Sequence, residues 1–332
     1  MNAMQAVVIS HYGDADVLQL RRDVPIPDPA PHEVRVRTAF TALNRADVMQ
    51  RQGFYPPPGK APEYEIPGLE FAGAIDALGA DVTSDWKVGD RVCGLLSAGG
   101  YAEFVTTPAD LLIRTPEGLT DAAAAAIPEV FMTAWDALHN RARIQPGETA
   151  LIHAGGSGVG TAAIQLAKKI GATTIATFGS PEKLDAALAL GLDHGILYKE
   201  QAFEERTLEL TQKRGADVIL DFIGAAYLSA NIKAAASLGR IVVIGLMGGA
   251  SAELSLGLLL AKRLQITGTV LRARSHEEKR RLTKQVAEDV FPGLAAGELR
   301  PVIDRTFALA DAAEAHRHME SNANFGKILL RI

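Results

Sequence analysis

Residues 149–170 read TALIHAGGSGVGTAAIQLAKKI, in which an apolar run, a glycine-rich turn and a helical pattern follow one another directly. The run at 149–154 predicts a buried strand, and 161–170 predicts a helix. Glycines in such a turn leave room for a ligand, so backbone N–H groups and the positive helix end can meet a pyrophosphate. The pattern therefore predicts dinucleotide binding by Gly156, Ser157, Gly158, Val159 and Gly160.

Ser157 stands where the second glycine of the usual pattern would be. Its hydroxyl can donate to a phosphate, although its side chain slightly enlarges the turn. A tight strand-to-helix turn with no ligand remains the alternative.

The same alternation continues on the C-terminal side of this turn. Apolar strand patterns occur at 149–154, 173–178, 195–198, 218–222, 241–244 and 266–271. Helical patterns occur between them, at 161–170, 181–190, 202–213, 225–237 and 256–263. Such a series predicts an α/β fold with a doubly wound parallel sheet, the Rossmann arrangement, over residues 125–271.

The N-terminal part of the chain has a different pattern. Short strand-like runs at 6–9, 33–38, 73–78, 91–94 and 102–105 are separated by proline-rich loops. An alanine run at 121–126 marks the change of composition. Residues 272–332 are too few for a good core of their own, so we expect them to join residues 1–124 in a second, β-rich domain.

Composition and charge exclude several classes of protein. Hydrophobic residues make up 48% of the 332 residues and charged residues 22%, which indicates an ordered globular chain. The net charge of -5 gives no general attraction to nucleic acid or anionic lipid. Cys93 is the only cysteine, and no apolar run reaches the length of a membrane helix or forms a secretory signal. We therefore expect a cytoplasmic protein without a membrane partner.

The end of the second predicted strand indicates which nicotinamide cofactor is used. A site specific for NAD would offer Asp or Glu to the ribose there, whereas this chain has Gly179. Ser180 and Lys183 supply a hydroxyl and an ammonium suited to a 2′-phosphate, so NADP is preferred. The alternative is that Ser180 caps the next helix and that Lys183 is a solvated surface charge.

Four longer segments resemble a known family. They are ALNRADVMQRQGFYPPPG (42–59), IPGLEFAG (66–73), AAAIPEVFMTAWDAL (124–138) and IHAGGSGVGTAAIQLAK (152–168). Together they resemble the quinone oxidoreductase, or zeta-crystallin-like, branch of the medium-chain dehydrogenase/reductase superfamily. Within that branch, the four segments most resemble the tumour-suppressor-inducible quinone oxidoreductase subgroup. The resemblance implies that the β-rich domain is a GroES-like catalytic domain.

The resemblance also bears on metal chemistry. Zinc alcohol dehydrogenases of this superfamily have a catalytic Cys where Asn44 stands and a His-Glu pair where Leu69 and Glu70 stand. Without that Cys and His, zinc loses two of its three protein ligands, so no metal is expected. Glu70 is interpreted as a buried structural carboxylate, with catalysis as the alternative.

The family positions for the substrate side are occupied by Asn44, Asp47 and Tyr55. Asn44 and Tyr55 could hydrogen-bond a quinone oxygen, and Tyr55 could supply a proton. Tyr55 could instead pack over the proline-rich loop, and Asp47 would position that loop.

Further cofactor residues follow from matching positions or from the ends of strands. For Leu246 and Met247 a place in the core is an equal alternative, and for the arginines and Lys327 a surface or strand-edge charge is the alternative. The residues are Thr133, Tyr198, Gly245, Leu246, Met247, Arg272, Arg274, Asn324 and Lys327.

The sequence thus predicts an NADPH-dependent quinone oxidoreductase that transfers hydride without a metal. An NADPH-dependent enoyl-thioester reductase, with Tyr55 as proton donor, is the second hypothesis. A non-catalytic NADPH-binding protein of crystallin or RNA-associated type is the third, although the basic stretch 272–284 is interrupted by acidic residues and makes nucleic acid unlikely. The run at 266–271 resembles the sheet edge that pairs across a two-fold axis in this superfamily, so a homodimer is expected.

Overall fold

The computed structural model describes residues 3–59, 62–83 and 85–332, which form two compact units. The first unit contains the described residues up to Met132 together with Leu271–Ile332, and the second unit contains Thr133–Val270. The division falls C-terminal to residue 125 because the helix Asp121–Ala125 packs against four strands of the first unit.

The strands of the described residues are, in chain order, β1 (Ala3–Ile9), β2 (Leu18–Pro25), β3 (Glu33–Ala42), β4 (Glu70–Leu78), β5 (Arg91–Leu95), β6 (Phe104–Pro108), β7 (Leu112–Arg114), β8 (Thr149–Ile152), β9 (Thr173–Phe178), β10 (His194–Leu197), β11 (Ala216–Asp221), β12 (Ala235–Val243), β13 (Gln265–Gly268), β14 (Ile303–Ala308) and β15 (Lys327–Arg331). The α-helices are α1 (Arg45–Arg51), α2 (Asp121–Ala125), α3 (Pro128–Trp135), α4 (Gly158–Ile170), α5 (Pro181–Leu188), α6 (Phe203–Leu210), α7 (Ala225–Ala234), α8 (Leu256–Lys262), α9 (His276–Asp289), α10 (Phe291–Ala295) and α11 (Ala312–Glu320). Short 3₁₀ turns occupy Ala15–Val17, Ala109–Leu111 and Leu309–Asp311, and a π-helical segment, Asp136–Arg141, follows α3. No helix within these described ranges is both long and apolar enough to cross a bilayer.

The first unit is built on a seven-stranded sheet in the order β14-β15-β3-β4-β5-β7, with β6 also paired to β3. β14 and β15 are parallel to each other, and the pairings among the remaining strands are antiparallel. One apolar core of this unit contains Val34, Val36, Phe71 and Val92, which are buried. β15 has a neighbour on each side, so the C-terminal segment is an interior part of the sheet.

The second unit contains a six-stranded sheet in the order β10-β9-β8-β11-β12-β13, and every pairing in it is parallel. Numbered within the unit, this order is that of a doubly wound nucleotide-binding sheet, in which the direction of winding reverses between β8 and β11. Buried aliphatic residues such as Leu151, Ile175 and Ile219 fill its core. The predicted α/β fold class is confirmed.

Several element boundaries differ from those that the sequence predicts. The helix expected at 225–237 ends at Ala234, because Ala235 pairs with Ala216 and begins β12. The strand expected at 266–271 ends at Gly268, and the chain turns where Arg274 N–H donates to the Leu271 carbonyl at 3.2 Å. β2 and β7 were not expected, since β2 is largely polar and exposed and β7 has three residues.

The entry into β15 constrains Gly326. This residue has φ +92°, and a Cβ there would lie 2.4 Å from the Val302 carbonyl oxygen. Gly118 has a similar φ of +86° with no atom within 4 Å of that position.

We therefore expect Gly326→Ala to destabilise the protein much more than Gly118→Ala. Gly118→Ala pays only for the left-handed backbone, about 1 kcal/mol, whereas Gly326→Ala adds overpacking and costs about 3 kcal/mol in all. Thermal unfolding of the two variants measures the difference. Equal Tm values would show that the close approach to Val302 does not constrain the fold.

Candidate active site

The glycine-rich turn joins β8 to α4 in the second unit. Ser157 caps α4, and its Oγ accepts a hydrogen bond from Gly160 N at 3.0 Å. A Cβ on Gly160 would lie 2.4 Å from the Ala154 carbonyl oxygen, and one on Gly155 would lie 2.6 Å from Phe178 Cζ. The glycines are thus needed for the tight turn itself. The hydroxyl hydrogen of Ser157 is still available to a phosphate, and the turn presents the N-terminus of a helix, so the residues fit a pyrophosphate.

The cofactor-selecting residues lie at the carboxyl end of β9. Ser180 occupies the N-cap position of α5 with Pro181 next, but its side chain makes no capping hydrogen bond. Ser180 instead hydrogen-bonds the carboxylate of Glu182, which lowers the pKa of Glu182. The capping alternative is therefore wrong for the Ser180 hydroxyl. Sequence reasoning also missed Glu182, which places a negative charge beside the hydroxyl. Lys183 is half-buried.

Tyr198 lies next to Gly179, as the sequence predicts for two cofactor residues. Its hydroxyl is 3.0 Å from the position that a Cβ on Gly179 would take, so a larger residue at 179 would displace the phenol. Tyr198 is 42% exposed and follows directly after β10. The pair leaves an open surface at the end of two neighbouring strands.

Residues 245–247 follow β12. A Cβ on Gly245 would lie 2.8 Å from the Phe222 carbonyl oxygen. Leu246 and Met247 are 51% and 54% exposed, so the alternative that they belong to the core is wrong. Thr133, in contrast, is buried.

A buried polar network, which sequence reasoning missed, lies behind the glycine-rich turn. His153 Nε2 is 2.7 Å from Asn231 Oδ1, and Asn231 Nδ2 donates to Asp221 Oδ2 at 3.1 Å. Burial lowers the pKa of His153 to about 4, so its imidazole is neutral at pH 7. Asp221 also accepts from the backbone N–H groups of Ile223 and Gly224. The network connects the carboxyl ends of β8 and β11, where the sheet changes direction. Its only sequence signal was a polar residue directly after a buried strand.

In the first unit, Lys327 and Glu70 form a buried ion pair. Lys327 Nζ donates to Glu70 Oε1, Asn44 Oδ1 and the Leu43 carbonyl, each at 2.7 Å. Lys327 is 3% exposed and lies in an interior strand, so the strand-edge alternative is wrong. These three contacts use the three donors of the ammonium.

Glu70 is fully buried and is satisfied by the surrounding protein. Its Oε1 also accepts from Asn44 Nδ2 at 2.9 Å, and its Oε2 accepts from the backbone N–H of Glu129 at 2.8 Å. Asn44 thus contacts both members of the ion pair through its two amide ends. Asn44 therefore orients Lys327 and Glu70, and its hydrogen bond to a quinone oxygen stays a prediction.

Asp47 holds the loop that precedes β4. Its carboxylate accepts from Asn44 N at 2.7 Å and from Gly68 N at 3.0 Å, and Tyr101 OH lies 3.4 Å away. Burial raises the pKa of Asp47 to about 6, although the backbone donors and Lys327 oppose the increase. These contacts are those of a positioning residue, but the loop that they hold precedes β4 and is not the proline-rich loop that the sequence predicted.

Tyr55 and Arg272 pack against each other. The guanidinium lies 4.9 Å from the Tyr55 ring centroid and donates to the Tyr55 carbonyl at 2.8 Å. Arg272 also donates to Gln50 Oε1 at 2.7 Å and to the Ser97 carbonyl at 2.6 Å. It is 5% exposed, so the surface-charge alternative is wrong for this arginine. Burial raises the pKa of Tyr55 above 10 even though Arg272 opposes the shift.

Two further predicted cofactor residues, Asn324 and Arg274, belong to the first unit. Asn324 Nδ2 donates to the Gly326 carbonyl at 2.9 Å, which is a local turn contact. Arg274 is half-buried and follows the turn after β13.

Glu129, near the start of α3, was not singled out from the sequence. Its backbone N–H donates to Glu70, while its own carboxyl group is buried beside Glu70 and Asp47. Burial, followed by the charge of Glu70, raises the pKa of Glu129 to about 8. No local pattern distinguishes this residue, because an acidic residue in the first turn is common in any helix.

The structure therefore divides the predicted site residues into two sets. Within the described ranges, no group of three or more His, Cys, Asp or Glu is arranged to hold a metal ion. The second unit holds Thr133, Gly156, Ser157, Gly158, Val159, Gly160, Gly179, Ser180, Lys183, Tyr198, Gly245, Leu246 and Met247. The first unit holds Asn44, Asp47, Tyr55, Arg272, Arg274, Asn324 and Lys327.

Comparison with protein families identifies related domains in both parts of the chain. Residues 30–117 match the alcohol dehydrogenase GroES-like domain, and residues 158–288 match the zinc-binding dehydrogenase family. A quinone oxidoreductase of Pseudomonas aeruginosa is 33% identical over 321 residues, which cover 96% of this chain and 97% of that protein. The phthioceranic/hydroxyphthioceranic acid synthase of Mycobacterium tuberculosis is 36% identical over 324 residues, which span only 15% of the synthase.

Solved structures resemble the whole chain. Mycobacterial Rv1454c complexed with NADPH has a TM-score of 0.91 at 28% identity, covering 99% of this chain and 100% of that chain. The CurK enoyl reductase has a TM-score of 0.87 at 29% identity, covering 100% and 99%. With these relatives along nearly its full length, the chain belongs to the medium-chain dehydrogenase/reductase superfamily.

Proposed function

We propose that this protein is an NADPH-dependent quinone oxidoreductase that transfers hydride without a metal. The observation that carries the proposal is the Lys327–Glu70–Asn44 cluster. Where the zinc enzymes of the superfamily have a Cys and a His, this chain has Asn44 and Leu69, and the ammonium of Lys327 binds Asn44 and Glu70 directly. A donor set of one amide and one carboxylate, already bonded to an ammonium, does not suit zinc.

The missing Lewis acid restricts the reaction. Alcohol oxidation requires an alkoxide to be stabilised, whereas a quinone accepts hydride unaided and needs mainly proximity and exclusion of water. When bound, NADPH supplies the hydride. Tyr55, held by Arg272, hydrogen-bonds the quinone oxygen, and Asp47 fixes the loop that precedes β4.

NADPH is proposed over NADH for three reasons. No carboxylate stands at Gly179, Lys183 supplies a positive charge near the end of β9, and the similar mycobacterial structure is complexed with NADPH. The Ser180–Glu182 hydrogen bond must be exchanged for one to the 2′-phosphate. Glu182 therefore weakens the preference for NADPH over NADH, because its carboxylate competes with the 2′-phosphate for the Ser180 hydroxyl.

A second candidate function is that of an NADPH-dependent enoyl-thioester reductase. The resemblance to the CurK enoyl reductase favours it, and Tyr55 would be the proton donor. The third candidate, a non-catalytic NADPH-binding protein of crystallin or RNA-associated type, shares the cofactor site and requires no turnover.

We also propose a homodimer, formed through the exposed edge of the second unit's sheet. β13 lies at the end of that sheet, and Ile266 on it is 36% exposed. Leu256 and Leu260 on α8 are 68% and 79% exposed. An unpaired edge beside apolar side chains suits pairing with a second copy, which would extend the sheet. The single buried Cys93 supports a reducing, cytoplasmic location.

We expect Lys183→Gln to raise the KM for NADPH about tenfold, because a charge-assisted hydrogen bond to the 2′-phosphate is lost. The KM for NADH should not change, and Glu182→Gln should lower the KM for NADPH. The matched control is Lys213→Gln, which removes an exposed lysine of the same unit. Equal effects of Lys183→Gln on both cofactors would refute the assignment.

We expect NADPH to be oxidised rapidly by a simple quinone and slowly by crotonyl thioester, and a chelator to change neither rate. Tyr55→Phe should lower the quinone rate about tenfold, because one hydrogen bond to the developing negative charge is lost. Fast crotonyl-thioester turnover that disappears in Tyr55→Phe would establish the enoyl reductase instead. Tight NADPH binding with no turnover would support the non-catalytic protein.

We expect the protein to sediment as a dimer, and Leu260→Lys to raise the dimer Kd about thirtyfold or more, as for a central apolar contact worth about 2 kcal/mol. Leu188→Lys is the matched control, since Leu188 is an exposed leucine of α5 in the same unit. A monomeric wild-type protein would contradict the proposal.

A further inference from the structure

Glu129 has a carboxyl group beside Glu70 and Lys327, whose charged groups are already hydrogen-bonded by the protein. None of the described residues donates a hydrogen bond to its carboxyl group, and none forms an ion pair with it, although its backbone N–H donates to Glu70 at 2.8 Å. Glu129 as a whole residue is half-buried, so part of it reaches solvent. A carboxyl group in this situation has its oxygens available to a ligand.

Charged groups from several elements of the first unit act on Glu129. Each of the two nearest cations is already committed: Lys327 donates to Glu70, Asn44 and Leu43, and Arg272 donates to Gln50, Tyr55 and Ser97. The two other carboxylates raise the cost of a further negative charge. The groups concerned are Glu70 on β4, Asp47 on α1, Lys327 on β15, Tyr55 after α1, Arg272 before α9 and Lys279 on α9.

These surroundings keep a proton on Glu129 at neutral pH. Its pKa is raised to about 8, first by burial and then by Glu70, with Lys327 and Arg272 opposing the increase. A general acid is most effective when its pKa lies near the operating pH. Tyr55 is a weaker acid at that pH, because burial raises its pKa above 10.

We propose that Glu129 is the catalytic acid that gives its proton to the substrate as hydride arrives. This step rests on the proposed quinone reduction. The nicotinamide C–H bond breaks and its hydride, with two electrons, bonds to one oxygen of the quinone, which leaves NADP⁺ and places a negative charge on the other quinone oxygen. The O–H bond of Glu129 breaks, an O–H bond forms on that second oxygen, and the hydroquinone is complete. The resulting carboxylate regains a proton from solvent.

The roles in the site are then distinct. Glu129 supplies the proton and Tyr55 hydrogen-bonds the same oxygen. Glu70, Lys327 and Asn44 are positioning residues that act through Glu129, because Glu70 binds its backbone at the start of α3.

The test is the pH dependence of the single-turnover rate of NADPH oxidation by a quinone. In the wild type we expect the rate to be constant below about pH 8 and to fall about tenfold per pH unit above it, as the acid loses its proton. Glu129→Gln should lose about hundredfold at pH 7 and should lose this alkaline decrease. Glu129→Asp should retain the decrease, and Glu129→Ala should recover activity when acetic acid is added.

Two controls separate this inference from the proposed function. The Kd for NADPH and the Tm of Glu129→Gln should match those of the wild type, which shows that the site is intact. A wild type that does not reduce quinones would contradict the proposed function. A wild type that reduces quinones at a rate independent of pH between about 7 and about 10, or a fully active Glu129→Gln, would overturn the role of Glu129 alone.

Discussion

The ion pair between Lys327 and Glu70 constrains both the chain path and the chemistry of the first unit. Removing an ammonium and a carboxylate from water costs several kcal/mol for each ion, unless good geometry and further hydrogen bonds offset the loss. Here the ammonium donates three hydrogen bonds and the carboxylate accepts three. The partners are 257 residues apart in the sequence, so the pair forms only when the C-terminal segment enters the sheet as β15. The second unit is consequently an insertion between two parts of the first.

The same pair determines the charge balance around it. One ammonium faces three carboxyl groups, and it is bonded to only one of them. Asp47 retains its negative charge at neutral pH through two backbone donors, while Glu129 has none and holds a proton. Lys327 thus balances the charge of Glu70 alone. Beside this pair lie the protonated Glu129 and the negatively charged Asp47. A zinc ion at this place would have had the opposite effect, since a divalent cation stabilises carboxylates in their charged form.

The sequence predicted the second unit well and the first unit only in part. Buried parallel strands are apolar runs, so the alternation of strands and helices was visible. The largest errors lie at the ends of α6, α7 and β13 and at the starts of α4 and β12. β2 was not predicted because five of its eight residues are exposed, and the strand-edge alternative for Lys327 was wrong because its partner Glu70 lies 257 residues away. Local sequence patterns indicate whether a residue belongs to a helix or a strand and which face of that element it occupies. They do not show which distant groups will surround it, and Glu129 was overlooked for this reason.

The contrast between Glu70 and Glu129 provides a physical criterion for separating structural from chemical carboxylates in this fold. Both are glutamates near the same ammonium, and neither sequence context distinguishes them. Glu70 accepts hydrogen bonds from an amide, an ammonium and a backbone N–H, so both of its oxygens are already bonded by the protein. Glu129 makes no such bond with a described residue, so losing or gaining a proton changes its charge without disturbing the fold. A group that cycles between two protonation states at every turnover must have this freedom, and within the Lys327 cluster only the less saturated carboxyl group has it.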